Sequence, residues 1–194
     1  MYTLSAPNTY QEEIRKSRFT ALAAPVQSPA EALAFFARES VVGATHNCWA
    51  YKLGAEYRFN DDGEPGGTAG RPILQAIEGQ KCDRVAVLVV RWFGGIKLGT
   101  GGLIRAYGGV AAQCLRLAEK APIVAEVEVA CRCPFGDMAL AQSRLAVYQA
   151  SVVDESFDAE GVNWRLRLPK DRQAEFIEAF TDLTRGRGEV QVYD

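Results

Sequence analysis

The most regular feature of the chain is an unbroken apolar run at residues 85–90 (Val85, Ala86, Val87, Leu88, Val89, Val90), rich in β-branched side chains. A run of that length without polar alternation is the pattern of a strand buried on both faces. Upstream, RFTALAAPV at residues 18–26 predicts a first strand, stopped by Pro25 and Pro29. Ser28, Pro29 and Glu31 then supply an N-cap, a first-turn proline and a capping-box acid, and the helix they open carries Leu33, Phe36 and Val41 or Ala37 as its apolar stripe. NCWAYKL at residues 47–53 alternates large side chains as a second strand. Turn residues across 54–72 exclude a long regular element, and Pro72 opens a short helix through Ile73, Leu74, Ala76 and Ile77 that ends at Gly79. The central run is followed by a loop and a helix from about Gly102 to Lys120, with Leu103, Ala106, Tyr107 and Val110 on one side.

Pro122 marks a break, after which the pattern is complete in itself. EVEVACRC is a strand, 137–149 a helix, SVVDESF and NWRLRL strands, 171–185 a helix and EVQVY a last strand. The order βαββαβ is that of a ferredoxin-like sandwich, with two helices on one face of an antiparallel sheet. The expected fold class is therefore α+β with two domains, 1–124 and 125–194. At 194 residues and 48% apolar composition the chain is long enough to bury a core in each.

Charge separates the two parts. Residues 1–125 carry 14 basic and 11 acidic groups, a balance of +3, whereas 126–194 carry 8 and 13, a balance of −5. A net charge of −2 excludes a generally basic nucleic-acid-binding tail, and any polyanion is expected to meet the first part. The five cysteines lack CxxC spacing and sit mostly in apolar segments, as reduced core residues do. No run reaches the ~18 residues of a membrane span and the first segment has no signal-peptide core, so a cytoplasmic, soluble protein is expected.

Glycine concentrates the chemistry. Twelve of the eighteen glycines lie between Gly63 and Gly109, on either side of the central run. From Arg84 to Ala118 there are five basic residues and no acid. Gly99, Thr100, Gly101 and Gly102 directly precede a helix, so free N–H groups and a positive helix end share space with Arg91, Lys97 and Arg105. Together with Gly94 and Gly95 these residues form the candidate anion-binding set. The alternative is that the glycines only permit tight strand-to-helix packing. Neither the phosphate-loop pattern nor the dinucleotide fingerprint is complete here.

The other loop places Asp61, Asp62 and Glu64 beside Gly63 and Pro65. Three carboxylates this close could hold a hard cation, but the spacing falls short of an EF-hand and is also ordinary turn chemistry. A third reading pairs the acids with Arg71, Arg91 or Arg105 and so locks the two loops together. No metal and no cofactor are expected; Asp61, Asp62 and Glu64 are the metal candidates if there is one. The only histidine, His46, is open to structural, general-base, ligand or pH-switch roles. Cys48 lacks an orienting third group for nucleophilic chemistry, and Cys131 with Cys133 has no matching pair for zinc. Trp49, Tyr51, Trp92 and Phe93 could stack on bases or fill a core.

KSRF at Lys16, THNCWAY at Thr45, DDGEPGGTAGRPIL at Asp61 and VVRWFGGIKLGTGGLIRAY at Val89 together resemble the IMPACT family, and within it the bacterial YigZ-like branch. The resemblance covers the whole chain. It implies an N-terminal domain with a fold like the second domain of a small-subunit ribosomal protein, and a C-terminal ferredoxin-like domain similar to one in elongation factor G. In eukaryotic relatives the domain acts as a translational regulator, so the implied function is non-enzymatic regulation or binding within translation, with RNA, the ribosome or a translation factor as partner. Carried over by position, the shared surface takes in His46, Asn47, Asp61, Asp62, Gly63, Glu64, Pro65, Thr68, Ala69, Gly70, Arg91, Gly94, Gly95, Lys97, Gly99, Gly101, Gly102, Arg105 and Tyr107, with Arg71 in the same motif. One departure is Gly66, where relatives commonly have a small hydroxyl residue. Two further function classes remain open: an enzyme acting on a phosphorylated small molecule or nucleotide through the same loops, and a protein-interaction adaptor working through the acidic C-terminal domain.

Overall fold

In the computed structural model, which describes residues 1–193, the apolar run lies in a strand with neighbours on both sides. The elements of the first unit are β1 (Tyr2–Leu4), β2 (Asn8–Ile14), β3 (Ser17–Pro25), α1 (Pro29–Glu39), β4 (His46–Leu53), β5 (Glu56–Asn60), α2 (Gly70–Gly79), β6 (Val85–Trp92), α3 (Thr100–Leu117) and β7 (Lys120–Pro122). Strands pair in the order β2-β3-β6-β4-β5, all antiparallel, while β1 and β7 form a separate two-stranded ribbon. From Val85 to Val90 every residue of β6 is fully buried. Val85, Val87 and Val89 pack with α2 and α3 in one core, and Ala86, Leu88 and Val90 pack with α1 in a second. Covering both faces is what removes the polar alternation from this strand.

Two strands precede the one expected first. Tyr2–Leu4 is too short to show a period, and NTYQEEI forms an edge strand whose polar side chains face water, so neither carries an apolar signal. The 54–72 stretch likewise holds an exposed edge strand, β5, paired only to β4. Helix α1 has the expected Ser28 cap, with Ser28 Oγ accepting from Glu31 N at 3.2 Å. Its buried face differs from the expected stripe: Ala32, Phe35 and Phe36 are inside, and Leu33 and Val41 are about 40% exposed. The two adjacent phenylalanines set the phase, because Phe36 stacks on Trp49 with ring centroids 4.6 Å apart. Helix α2 starts at Gly70 rather than Pro72, and α3 starts at Thr100, within its glycine run.

The second unit, from Val124 onward, contains β8 (Glu126–Pro134), α4 (Phe135–Leu145), β9 (Ser151–Phe157), β10 (Gly161–Pro169), α5 (Gln173–Leu183) and β11 (Glu189–Tyr193). Strand order β11-β8-β10-β9, antiparallel throughout, is the ferredoxin-like arrangement. The two expected helices shorten at their ends into 3-10 turns at Ala146–Tyr148 and Lys170–Arg172. Trp164, Leu166 and Leu168 of β10 alternate inward against Phe176 and Phe180 of α5. On the opposite face Arg167 pairs with Glu128 at 2.8 Å, and beyond the end of β9 Arg132 meets Asp158 and Glu160, so part of this unit's acidic excess is internally paired.

Candidate functional site

The acidic loop is held by its own carboxylates. Asp61 Oδ1 accepts from the Ala69 and Gly70 amides at 3.0 and 2.8 Å, and Oδ2 from Gly67 N at 2.8 Å. Helix α2 lacks a side-chain cap at its own N-cap residue, so an acid eight residues upstream caps it instead. Gly70 is required there, since a Cβ would lie 2.7 Å from the Asn60 backbone oxygen. Asp62, at φ 42°, accepts from the Asn47 amide, and its carbonyl lies 2.7 Å from His46 Nδ1. Asn47 spends its side chain on the backbone of Val41, and Thr68 bonds back to the Pro65 carbonyl. Among the described residues no group of His, Cys, Asp and Glu is arranged to hold a metal ion.

Glu64 turns inward. Its Oε1 accepts from Arg91 Nη1 and from the Tyr107 hydroxyl, both at 2.7 Å, with His46 Nε2 at 3.7 Å. Arg91 also reaches Ser17 Oγ at 3.3 Å. The ion pair is buried, at 4% side-chain exposure for Glu64 and 6% for Arg91. Of the three arginines weighed as partners for the acids, Arg91 alone makes an ion pair with them among the described residues. Arg91 is therefore not the exposed cation the basic run suggests: it sits next to the end of β6 with its charge neutralised. Burial pushes the Tyr107 hydroxyl pKa upward, so it stays a donor to Glu64. Cys48 gives its thiol to the Asp61 carbonyl at 3.0 Å, and burial raises its pKa to about 12, which removes it as a nucleophile at neutral pH.

The second loop closes over this pair. Gly94 lies so near the β2–β3 turn that a Cβ would overlap the Lys16 carbonyl, and Gly95 and Gly99 adopt φ of 87° and 72°. Thr45 Oγ1 accepts from Phe93 N at 2.9 Å. Residues of both loops then line one cleft of about 450 Å³, which includes His46, Glu64, Pro65, Arg91, Phe93, Lys97, Leu98 and the first turn of α3. That turn has Gly99 at its N-cap, no side-chain cap and no acid. Lys97 is exposed and makes no ion pair among the described residues. Arg91 lines the cleft, and its Nε is a buried donor without an acceptor among the described residues. Arg105 is not in this cleft: one turn further along α3, it lines a second cleft of about 270 Å³ with Arg15, Ile14 and Leu98. Arg71 is exposed on α2.

Sequence reasoning missed Ser17, Arg15, Leu98 and Thr45. Ser17, Thr45 and Leu98 lie inside the KSRF, THNCWAY and VVRWFGGIKLGTGGLIRAY motifs, which do not reveal their individual contacts. Arg15 joins Arg105 at one cleft only through the fold.

The fold defines the class: a two-domain α+β protein in which a helix-covered five-stranded sheet precedes a ferredoxin-like unit. Residues 15–115 match the Impact N-terminal domain, and residues 131–187 match a domain of unknown function, DUF1949. The chain is 53% identical over 175 residues to an IMPACT family member in the pol 5′ region of Thermus thermophilus, covering 90% of this chain and 97% of that one. It is 36% identical over 192 residues to IMPACT family member YigZ of Escherichia coli K12, covering 94% and 92%. A crystal structure of a hypothetical protein superposes with a TM-score of 0.74 at 34% identity, over 100% of this chain and 97% of the other. The chain belongs to the IMPACT family.

Proposed function

We propose that the protein is a non-enzymatic binding module of the translation machinery, in which an N-terminal domain (1–124) takes a phosphate of an RNA strand and 125–194 forms a second domain. The observation that carries this reading is the cleft at the start of α3. An uncapped helix N-terminus and the exposed Lys97 meet there beside the buried Arg91, with no acid in the first turn. Helix-end amides and a lysine are a ready receptor for a phosphate oxygen. Glu64 adds no net repulsion, because Arg91 neutralises it. Phe93, 46% exposed in the same wall, offers a ring on which a base can stack. The link to translation comes from the resemblance of the sequence motifs.

The test is fluorescence anisotropy of a labelled single-stranded oligoribonucleotide at several salt concentrations. Lys97→Ala is expected to weaken binding and to lower the salt slope by about 0.7. Association that ignores salt, or none, overturns the reading. A second reading, a phosphorylated small molecule as ligand, is favoured by the cleft volume, which lies within the range of small-molecule sites. A panel of nucleotides in a thermal-shift assay decides it, since a ligand at a hundred times Kd adds about 2.7 kcal/mol.

A further inference from the structure

The cleft at the α3 N-terminus has a neighbour. Leu98 lines both it and the smaller cleft of Arg15 and Arg105, and so stands as a shared wall between them. Arg15 sits in the β2–β3 turn with φ of 48°, and Arg105 projects from the second turn of α3. Both side chains are exposed, and neither enters an ion pair among the described residues. Two exposed arginines lining one cleft, with no carboxylate paired to either among the described residues, offer guanidinium donors suited to a phosphate.

We propose that the Arg15–Arg105 cleft is a second phosphate site, and that a single nucleic-acid strand crosses Leu98 so that two of its phosphates are held at once. This rests on the first cleft being a phosphate receptor. A strand suits the geometry better than a compact diphosphate for two reasons. The sites are separated by a whole leucine side chain, whereas the phosphates of a diphosphate share one bridging oxygen. The first cleft also has an apolar wall of Pro65, Phe93 and Leu103, which gives a base somewhere to lie. The departure of Arg105 from the Lys97 cleft thus becomes a division of labour along one ligand.

The experiment uses the full chain and a fluorescein-labelled ten-nucleotide uridine strand, with wild type, Lys97→Ala and the double variant Arg15→Gln/Arg105→Gln. These side chains are exposed, so the variants are expected to fold, and circular dichroism checks this. Both variants are expected to bind more weakly than wild type. Each phosphate of a single strand that the protein no longer neutralises lowers the salt slope by about 0.7, so the advantage of wild type over the double variant shrinks about threefold between 50 and 200 mM salt. If the double variant keeps wild-type affinity and slope while Lys97→Ala does not, the second site is refuted and the first reading stands. Pyrophosphate displacing the strand at equal phosphate concentration refutes the strand in favour of a compact ligand. Hexaglutamate doing so refutes it in favour of an acidic protein surface. A wild-type protein that does not bind the strand refutes both readings.

Discussion

Replacing Glu64 tests whether the centre of the site is a structural ion pair rather than a binding group. At 2.7 Å and an effective dielectric of 20, the attraction to Arg91 is about 6 kcal/mol, but desolvation of two ions offsets most of it. The intact pair therefore contributes little net stability. Removing one partner is a different matter, because Glu64→Ala leaves the Arg91 charge buried and takes the carboxylate acceptor from the Tyr107 hydroxyl. Breaking a buried pair in this way costs about 3–5 kcal/mol. At roughly 2–4 °C per kcal/mol the melting temperature falls by about 10 °C. Glu64→Gln, which keeps one oxygen acceptor, is expected to lose less, and Glu64→Leu/Arg91→Met less than the sum of the two single changes. Hydrogen exchange of the peptide spanning β6 reads the opening free energy of the first unit separately from the second. A Glu64→Ala protein within about 1 kcal/mol of wild type, or a double variant whose losses simply add, refutes the argument.

Further substitutions separate packing from chemistry. Gly94→Ala places a methyl into the Lys16 carbonyl and is expected to lower stability by several kcal/mol, whereas Gly66→Ser, with nothing within 4 Å of a Cβ, is expected to change it by under about 0.5 kcal/mol; melting temperatures compare them. Asp61→Ala strips three backbone amides of their acceptor and is expected to cost about 2 kcal/mol, the upper end for an N-cap, with α2 amides losing exchange protection first. Burial raises the thiols of Cys48, Cys114 and Cys131 to about 12, so a thiol reagent at about pH 8 should leave them unmodified until the protein unfolds. Because the folded values lie above the unfolded one, their contribution to stability is complete below about pH 8.5 and declines as pH rises from there towards 12. A melting temperature constant from about pH 8 to 11 would contradict this.

Local pattern carried much of the architecture. The six-residue β-branched apolar run read as a doubly covered strand, Ser28 with Pro29 and Glu31 read as a helix start, and βαββαβ was legible without knowing any contact. Those features depend on residues a few positions apart, and periodicity reports them directly. The edge strands β2 and β5 were not legible, because a strand paired on one side and facing water carries no apolar signal. The phase of α1 was decided by Phe36 stacking on Trp49 of β4, on the sheet face that α1 covers.

The residues that could receive an anion were legible as types and as neighbours in the chain: glycines, a lysine and arginines before a helix, with acids in the opposite loop. Their roles were not. Glu64 and Arg91 are 27 positions apart, Ser17 and Arg91 are 74 apart, and which cation is neutralised depends on which carboxylate the folded loops bring beside it. Tertiary structure alone withdrew Arg91 into the core, left Lys97 at the mouth of the cleft and set Arg105 with Arg15 on the far side of Leu98. The physical reason is that charge pairing is a short-range property of positions in space, and the sequence orders those positions only through the whole fold.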